Sequence, residues 1–239
     1  VARLEAGGLF AFGVSEKAHG SDLFGNEFTI RRTTPGRWRA DGAKHYIGNA
    51  NAAAIVSVLA RVAPEPDGGD AARAPFAFVA IRPPETTAYG HVEKIRTLGI
   101  RRAFVGSFEV RGHDLPDGDI ISSGREAWDA MFRTVDLGKL LLGFGAVGMC
   151  EHAFAEAVQH LRGRMLYGAP ASTLPHLRTT LALAYARLAA MKSYAERALD
   201  HVCVASSEDR RYLLFHAVQK ARVGTEGVKV MALLQECVG

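Results

Sequence analysis

A chain of 239 residues that is 48% hydrophobic and 23% charged, with a formal net charge of +4, has the composition of a folded protein with one large core or two smaller ones. The apolar share is too high and the net charge too low for a disordered chain, and the longest unbroken apolar run, residues 140–150, is too short to span a bilayer. Lys and Arg outnumber Asp and Glu only by 15 to 14 in residues 1–120 and by 14 to 11 in residues 121–239, without a basic run, which argues against a nucleic-acid partner.

In chain order, residues 9–14 (LFAFGV), 28–32, 55–62, 76–81, 92–96 and 105–110 are short runs rich in β-branched and aromatic residues. Gly, Pro, Asn and Asp punctuate them, as between strands. Asp41-Gly42 predicts a hairpin turn between residues 38–40 and 43–47. The Pro-, Gly- and Asp-rich residues 63–75 predict a mobile loop between two strands. With no helical period between them, these runs read as an antiparallel β-sandwich or barrel.

After residues 114–118 (DLPDG) the period becomes helical. Ser122 or Ser123 is placed to cap a helix that runs to about Arg162. Gly168-Ala169-Pro170 breaks it. Leu174, Leu177, Leu181, Ala184, Leu188, Met191, Ala195 and Leu199 then form one apolar stripe of a second long helix. Ser206-Ser207-Glu208 reads as the cap of a third, running to about Leu234. Gly143, Gly145 and Gly148 in the first helix, and Gly224 and Gly227 in the third, each cost roughly 1 kcal/mol against Ala, so they predict close helix packing. The fold class is therefore α+β: a β-domain over residues 1–118, then an antiparallel helical bundle over residues 119–239. A four-helix bundle would need one more helix.

Cys150, Cys203 and Cys237 lie far apart with no CxxC pair, which predicts reduced, buried thiols and a cytoplasmic location. The nine histidines include no metal-binding spacing, so no metal site is expected. Serine-nucleophile, P-loop and dinucleotide-binding signatures are missing as well. One segment stands out: Phe12-Gly13-Val14-Ser15-Glu16-Lys17-Ala18-His19-Gly20-Ser21-Asp22. An apolar strand there runs into hydroxyls and backbone donors, which suits a ring with polar edges and a phosphate. A plain polar loop explains the same residues.

Five segments, in order, carry a resemblance. They are Val14 to Asp22, Gly42-Ala43-Lys44-His45-Tyr46-Ile47-Gly48-Asn49, Leu98-Gly99-Ile100-Arg101 with Phe108-Glu109-Val110, Gly145-Ala146-Val147-Gly148, and Arg164-Met165-Leu166-Tyr167-Gly168. Together they resemble the acyl-CoA dehydrogenase family of flavoproteins. The resemblance implies a middle β-domain followed by most of a C-terminal helical domain, lacking the family's N-terminal helical domain and last helices.

It also implies FAD, acyl-CoA dehydrogenation in fatty acid metabolism, and electron transfer to an electron-transfer flavoprotein or a similar acceptor. The assembly implied is a homodimer or homotetramer, with a hetero-oligomer as the alternative. In that chemistry the α-proton of an acyl thioester goes to a carboxylate and the β-hydrogen to the flavin as hydride. Phe12, Val14, Ser15, Ser21, Tyr46, Ile47, Gly48 and Arg164 match cofactor-binding positions. Ser21, Asp136 and Lys139 match substrate-binding ones. The catalytic base is expected beyond Gly239; the other family position for it falls on Gly138, which has no carboxylate. Lys17, Gly48, Met165, Leu166 and Pro175 depart from the family pattern, and Glu236 and Cys237 stand where glycines are usual. A flavin oxidase or monooxygenase on the same fold, or a non-catalytic subunit, are the alternatives.

Overall fold

A computed structural model describes residues 2–64, 75–204 and 211–239. Most of the loop expected at 63–75 and the cap expected at Ser206-Ser207-Glu208 lie outside the described residues. The chain forms two compact units, Val1–Met131 and Phe132–Gly239. The composition break after Gly118 precedes that division by several turns of chain, because the helix that starts at Gly124 spends its first turns in the first unit.

The first unit contains α1 (Ala2–Glu5), β1 (Leu9–Gly13), β2 (Thr29–Thr34), β3 (Arg37–Gly48), β4 (Ala53–Val62), β5 (Phe76–Ile81), β6 (Tyr89–Lys94), β7 (Val105–Pro116) and β8 (Ile120–Ser123). They form one eight-stranded sheet in the order β6-β7-β3-β2-β4-β5-β8, with β1 also on β4. Most pairings are antiparallel, but β1 and β2 each pair with β4 in parallel. The turn after β3 reverses the chain, and β2 is already antiparallel to β3, so β4 must run with β2. β1 and β2 share one edge of β4 in succession: β1 takes Ala53 to Val58, and β2 takes Arg61 and Val62. The chain between β1 and β2 is therefore pushed out where β4 changes partner. Phe28, Ile30, Val56, Val58, Ile81, Phe108 and Leu115 fill the core.

The Asp41-Gly42 hairpin does not form. β3 runs straight through these residues, and the turn from β2 to β3 falls at Pro35-Gly36, with Thr34 paired to Arg37. Pro presets one turn dihedral, and Gly36 takes φ +78°. Gly42 instead marks a bulge against β7, at φ +146°, and a Cβ there would lie 2.7 Å from the Phe28 ring. The glycine lets the ring approach the backbone.

α2 (Gly124–Gly163) follows β8 directly, so Ser122 and Ser123 end a strand instead of capping a helix. Its Ala127 and Met131 pack with Val14, Leu59, Phe76 and Phe78. By length and composition alone α2 could cross a membrane, yet Val147, Cys150 and Ala157 lie in the helical core of the second unit. That unit adds β9 (Met165–Leu166), β10 (Ala169–Pro170), α3 (Pro175–Val204), α4 (Tyr212–Val218), a π-helical turn (Gln219–Val223) and α5 (Gly224–Val238). Leu188, Met191, Val230 and Leu234 complete its core. Cys150 and Cys237 are buried as expected, but Cys203, in the last turn of α3, is exposed. The glycine expectation holds in part. A Cβ on Gly143 would strike Gln219, and one on Gly227 would touch Met191, whereas Gly145, Gly148 and Gly224 have no described atom within 4 Å of an added Cβ.

Candidate functional site

The segment singled out by sequence leaves the sheet where β1 ends at Gly13, paired to Val58. Val14 turns inward among Leu59, Phe76 and Phe78. The Ser15 carbonyl accepts a 2.8 Å bond from the His45 amide, which ties the segment to β3. The chain returns at Phe28, whose carbonyl accepts from the Arg61 amide. Everything between is an excursion of about a dozen residues whose backbone polar groups need partners.

Buried charge supplies several of them. The Lys44 ammonium donates to the Val14 carbonyl at 3.1 Å, to Glu16 Oε1 at 2.8 Å and to Asn26 Oδ1 at 2.6 Å. Glu16 accepts from the Glu27 and Phe28 amides at 2.7 and 2.9 Å. Both ends of the excursion thus converge on one ammonium. Burial alone would raise the Glu16 carboxyl, but Lys44 and the two amides outweigh it and hold the group below its usual value. Burial pulls Lys44 down to about 8, against the raising effect of Glu16. Arg61 adds a second anchor. It donates to the Asn26 and Phe24 carbonyls and lies over the Phe76 ring at 4.7 Å. Phe76 also stacks on Trp128, with ring centroids 5.1 Å apart.

This scaffold leaves three features at the surface. The Ser15 hydroxyl is half-exposed and makes no hydrogen bond among the described residues. Tyr46 is 61% exposed and takes a left-handed backbone, φ 62°. Gly48 is exposed, with nothing within 4 Å of an added Cβ. Because Ser15 is bonded at His45, Gly48 lies three residues farther along the same strand. A donor, a bare backbone patch and an aromatic over that span suit a flat heterocycle with a polar edge.

The other expected positions fall as follows. The Phe12 ring stacks on Phe78 at 5.6 Å. Ile47 lies in the β-core, 2% exposed, so it can offer a ligand only its backbone. Ser21 is exposed at the mouth of the excursion. Oxygen and nitrogen atoms of Glu16, His19 and Glu27 lie within 4.8 Å of one another, as for a metal, but both Glu16 oxygens are already taken by Lys44 and the two amides.

In the second unit, Asp136 is 2% exposed and bonded to His216, and its Oδ1 lies 3.7 Å from the Lys139 ammonium. Gly138 has open space around it. Arg164 is exposed just past α2, where its carbonyl accepts from Ala171 and its guanidinium reaches the Val238 carbonyl at 3.4 Å. Tyr167 and Gly168, both at positive φ, make the tight turn from β9 to β10 that follows it. The sequence alone did not single out Asn26, Arg61 or His216. Glu16 and Lys44 are each in a quoted motif, but no spacing signals that they meet.

Known proteins share this fold. Residues 126–239 match the C-terminal domain of acyl-CoA dehydrogenase. Human mitochondrial short-chain specific acyl-CoA dehydrogenase is 27% identical over 171 residues, which is 72% of this chain and 40% of that protein. The structure superposes on a glutaryl-CoA dehydrogenase of Mycobacterium smegmatis in complex with FADH2 at TM-score 0.81 and 20% identity, covering 99% of this chain and 57% of the other. It also superposes on the flavoprotein nitroalkane oxidase at TM-score 0.85 and 17% identity, covering 96% and 58%. The chain thus spans between 40% and 58% of the proteins it is compared with here. Residues 126–239 thus match the C-terminal domain of the acyl-CoA dehydrogenase family, and the chain has the fold of acyl-CoA dehydrogenases over almost its whole length.

Proposed function

We propose that the chain is the part of an acyl-CoA dehydrogenase that holds FAD on its β-unit and meets an acyl thioester with its first long helix. The observation that carries this reading is the Ser15 hydroxyl. It has no partner among the described residues, yet its segment is locked by the buried Lys44–Glu16 pair beside the open backbone at Gly48. When bound, the flavin supplies the hydride acceptor.

The chain's own residues have distinct tasks. Ser15 donates to the polar edge of the ring, and Gly48 leaves room for it. Phe12, Val14, Tyr46 and Ile47 form its apolar and backbone surround. Ser21 lies at the phosphate and thioester arm. Arg164, exposed and planar, suits a diphosphate by bidentate hydrogen bonding. Lys139 presents its ammonium to the substrate. Gly138 carries no carboxylate, so that position cannot take the α-proton.

The reading extends to the partners: acyl-CoA as substrate, an electron-transfer flavoprotein as acceptor, a homodimer or homotetramer as assembly, and the cytoplasm as location. The relatives' acyl-CoA dehydrogenase names support the substrate.

The test is anaerobic addition of an acyl-CoA series to the full-length protein loaded with FAD. Bleaching of the visible flavin band by one or more of them supports the reading. A protein that stays colourless with added FAD overturns it in favour of a non-catalytic subunit. The nitroalkane oxidase superposition favours a second reading, an oxidase on the same fold. Rapid reoxidation of the bleached flavin by air would select it.

A further inference from the structure

Asp136 and Lys139 were both matched to substrate contacts, but the structure separates their roles. Asp136 is sealed: its side chain is 3% exposed, and one carboxylate oxygen is engaged by His216 Nδ1 from α4. Lys139, one turn on along α2, keeps 32% of its side chain exposed, with its ammonium 3.7 Å from the other oxygen of Asp136. The only one of the three side chains that can reach a ligand is Lys139. The imidazole nitrogen faces a carboxylate oxygen, so Nδ1 carries the hydrogen and donates it.

α4 holds His216 firmly. The Tyr194 hydroxyl of α3 donates to the Phe215 carbonyl at 3.3 Å, and the His201 ring of α3 lies against the Phe215 ring, centroids 4.7 Å apart. Asp136 Oδ1 makes no hydrogen bond among the described residues, so its remaining demand falls on the Lys139 ammonium. A buried carboxylate held on one side and facing a cation on the other directs that cation.

We propose that His216 is a positioning residue for the acyl-thioester site: by fixing Asp136 it aims the Lys139 ammonium at a ligand oxygen. This rests on the dehydrogenase reading above, and it adds a residue that no motif singled out.

The test is a double-mutant cycle in the full-length protein loaded with FAD, read as KM and kcat for an acyl-CoA with an artificial electron acceptor. H216A is expected to raise KM about tenfold with kcat nearly unchanged, and K139A to do the same. The double variant should be no worse than K139A alone, because the two act as one unit. H216N, whose amide can donate from the place of Nδ1, should recover most of the loss. Multiplying effects in the double variant, or an unchanged KM in H216A, overturns the proposal.

If H216A fails to fold, Asp136→Asn replaces it with the same expectation. If no acyl-CoA is turned over even by the unmodified protein, the dehydrogenase reading fails, and the positioning is then read from the nitrogen NMR signal of the Lys139 ammonium. That signal should move in H216A and return in H216N. An identical signal in all three proteins overturns the proposal.

Discussion

The Lys44 ammonium lies 2.8 Å from a Glu16 oxygen with both side chains buried, and the two residues belong to segments 28 positions apart in sequence. The pair stands under the excursion between β1 and β2, two strands that share an edge of β4. What it holds in place is Ser15, the group proposed above to donate to a cofactor. The same ammonium donates to both ends of the excursion, at Val14 and Asn26, so its removal should be felt along the whole segment.

Lys44→Met leaves Glu16 buried without its cation. Removing one partner of a buried pair typically costs about 3–5 kcal/mol. Urea unfolding of the full-length protein should show a loss of that order, together with weaker flavin retention. A loss below about 1 kcal/mol, the range of a surface ion pair, would show that the pair does not hold the segment.

The pH dependence follows from the same pair. The Glu16 carboxyl is lowered in the folded state, so its contribution is fully present above the unfolded value near 4.5 and fades as pH falls through the lowered folded value. Lys44 runs in the other sense. With its folded value near 8 against 10.5, the unfolded chain binds more protons between those limits, and this group's contribution rises with pH there. Melting temperatures of the unmodified protein should therefore fall below about pH 4.5 more steeply than those of Glu16→Gln. Parallel acid limbs in the two proteins would contradict this.

Much of the fold was legible because the apolar patterning is strong. The runs at 9–14, 55–62 and 76–81 became β1, β4 and β5 nearly as read, and the stripe from Leu177 to Leu199 lies within α3. The exceptions have physical causes. Pro35-Gly36 and Asp41-Gly42 are both turn dipeptides seven residues apart or less, and only the pairing of β3 with β7 along its length decides which one bends the chain. The π-helical turn at Gln219–Val223 has no sequence signal. Within the site, Ser15, Tyr46 and Gly48 were found through the resemblance. The contacts of Lys44 with Glu16 and of His216 with Asp136 span 28 and 80 positions, and one sequence carries no record of such distances.

Gly36 in the β2–β3 turn and Gly42 within β3 make the turn assignment testable. Gly36 takes a left-handed turn in open space, so Gly36→Ala should cost about 1–2 kcal/mol from backbone strain alone. Gly42→Ala adds a Cβ at 2.7 Å from the Phe28 ring and backbone, so it should cost clearly more in chemical denaturation. Equal costs would contradict the bulge.

Gln219 is fully buried, and its amide atoms make no hydrogen bond among the described residues. Its side chain occupies the space that Gly143 leaves, since a Cβ there would lie 2.3 Å from Nε2. Gly143→Ala should destabilise by about 1–3 kcal/mol through overpacking, and Gly143→Ala with Gln219→Ala should recover most of that. Additive losses in calorimetry would show that the two residues do not share this space.

The central claim is that flavin lies across the open backbone at the end of β3, and Gly48→Leu tests it most directly. The added side chain enters space that no described atom fills, so the fold should tolerate it while the ring is displaced. The measurement is flavin content by visible absorption of the purified full-length protein, beside its melting temperature without flavin. The account predicts that the variant loses most of its flavin and melts as the unmodified apoprotein does. Full flavin content in the variant would contradict it.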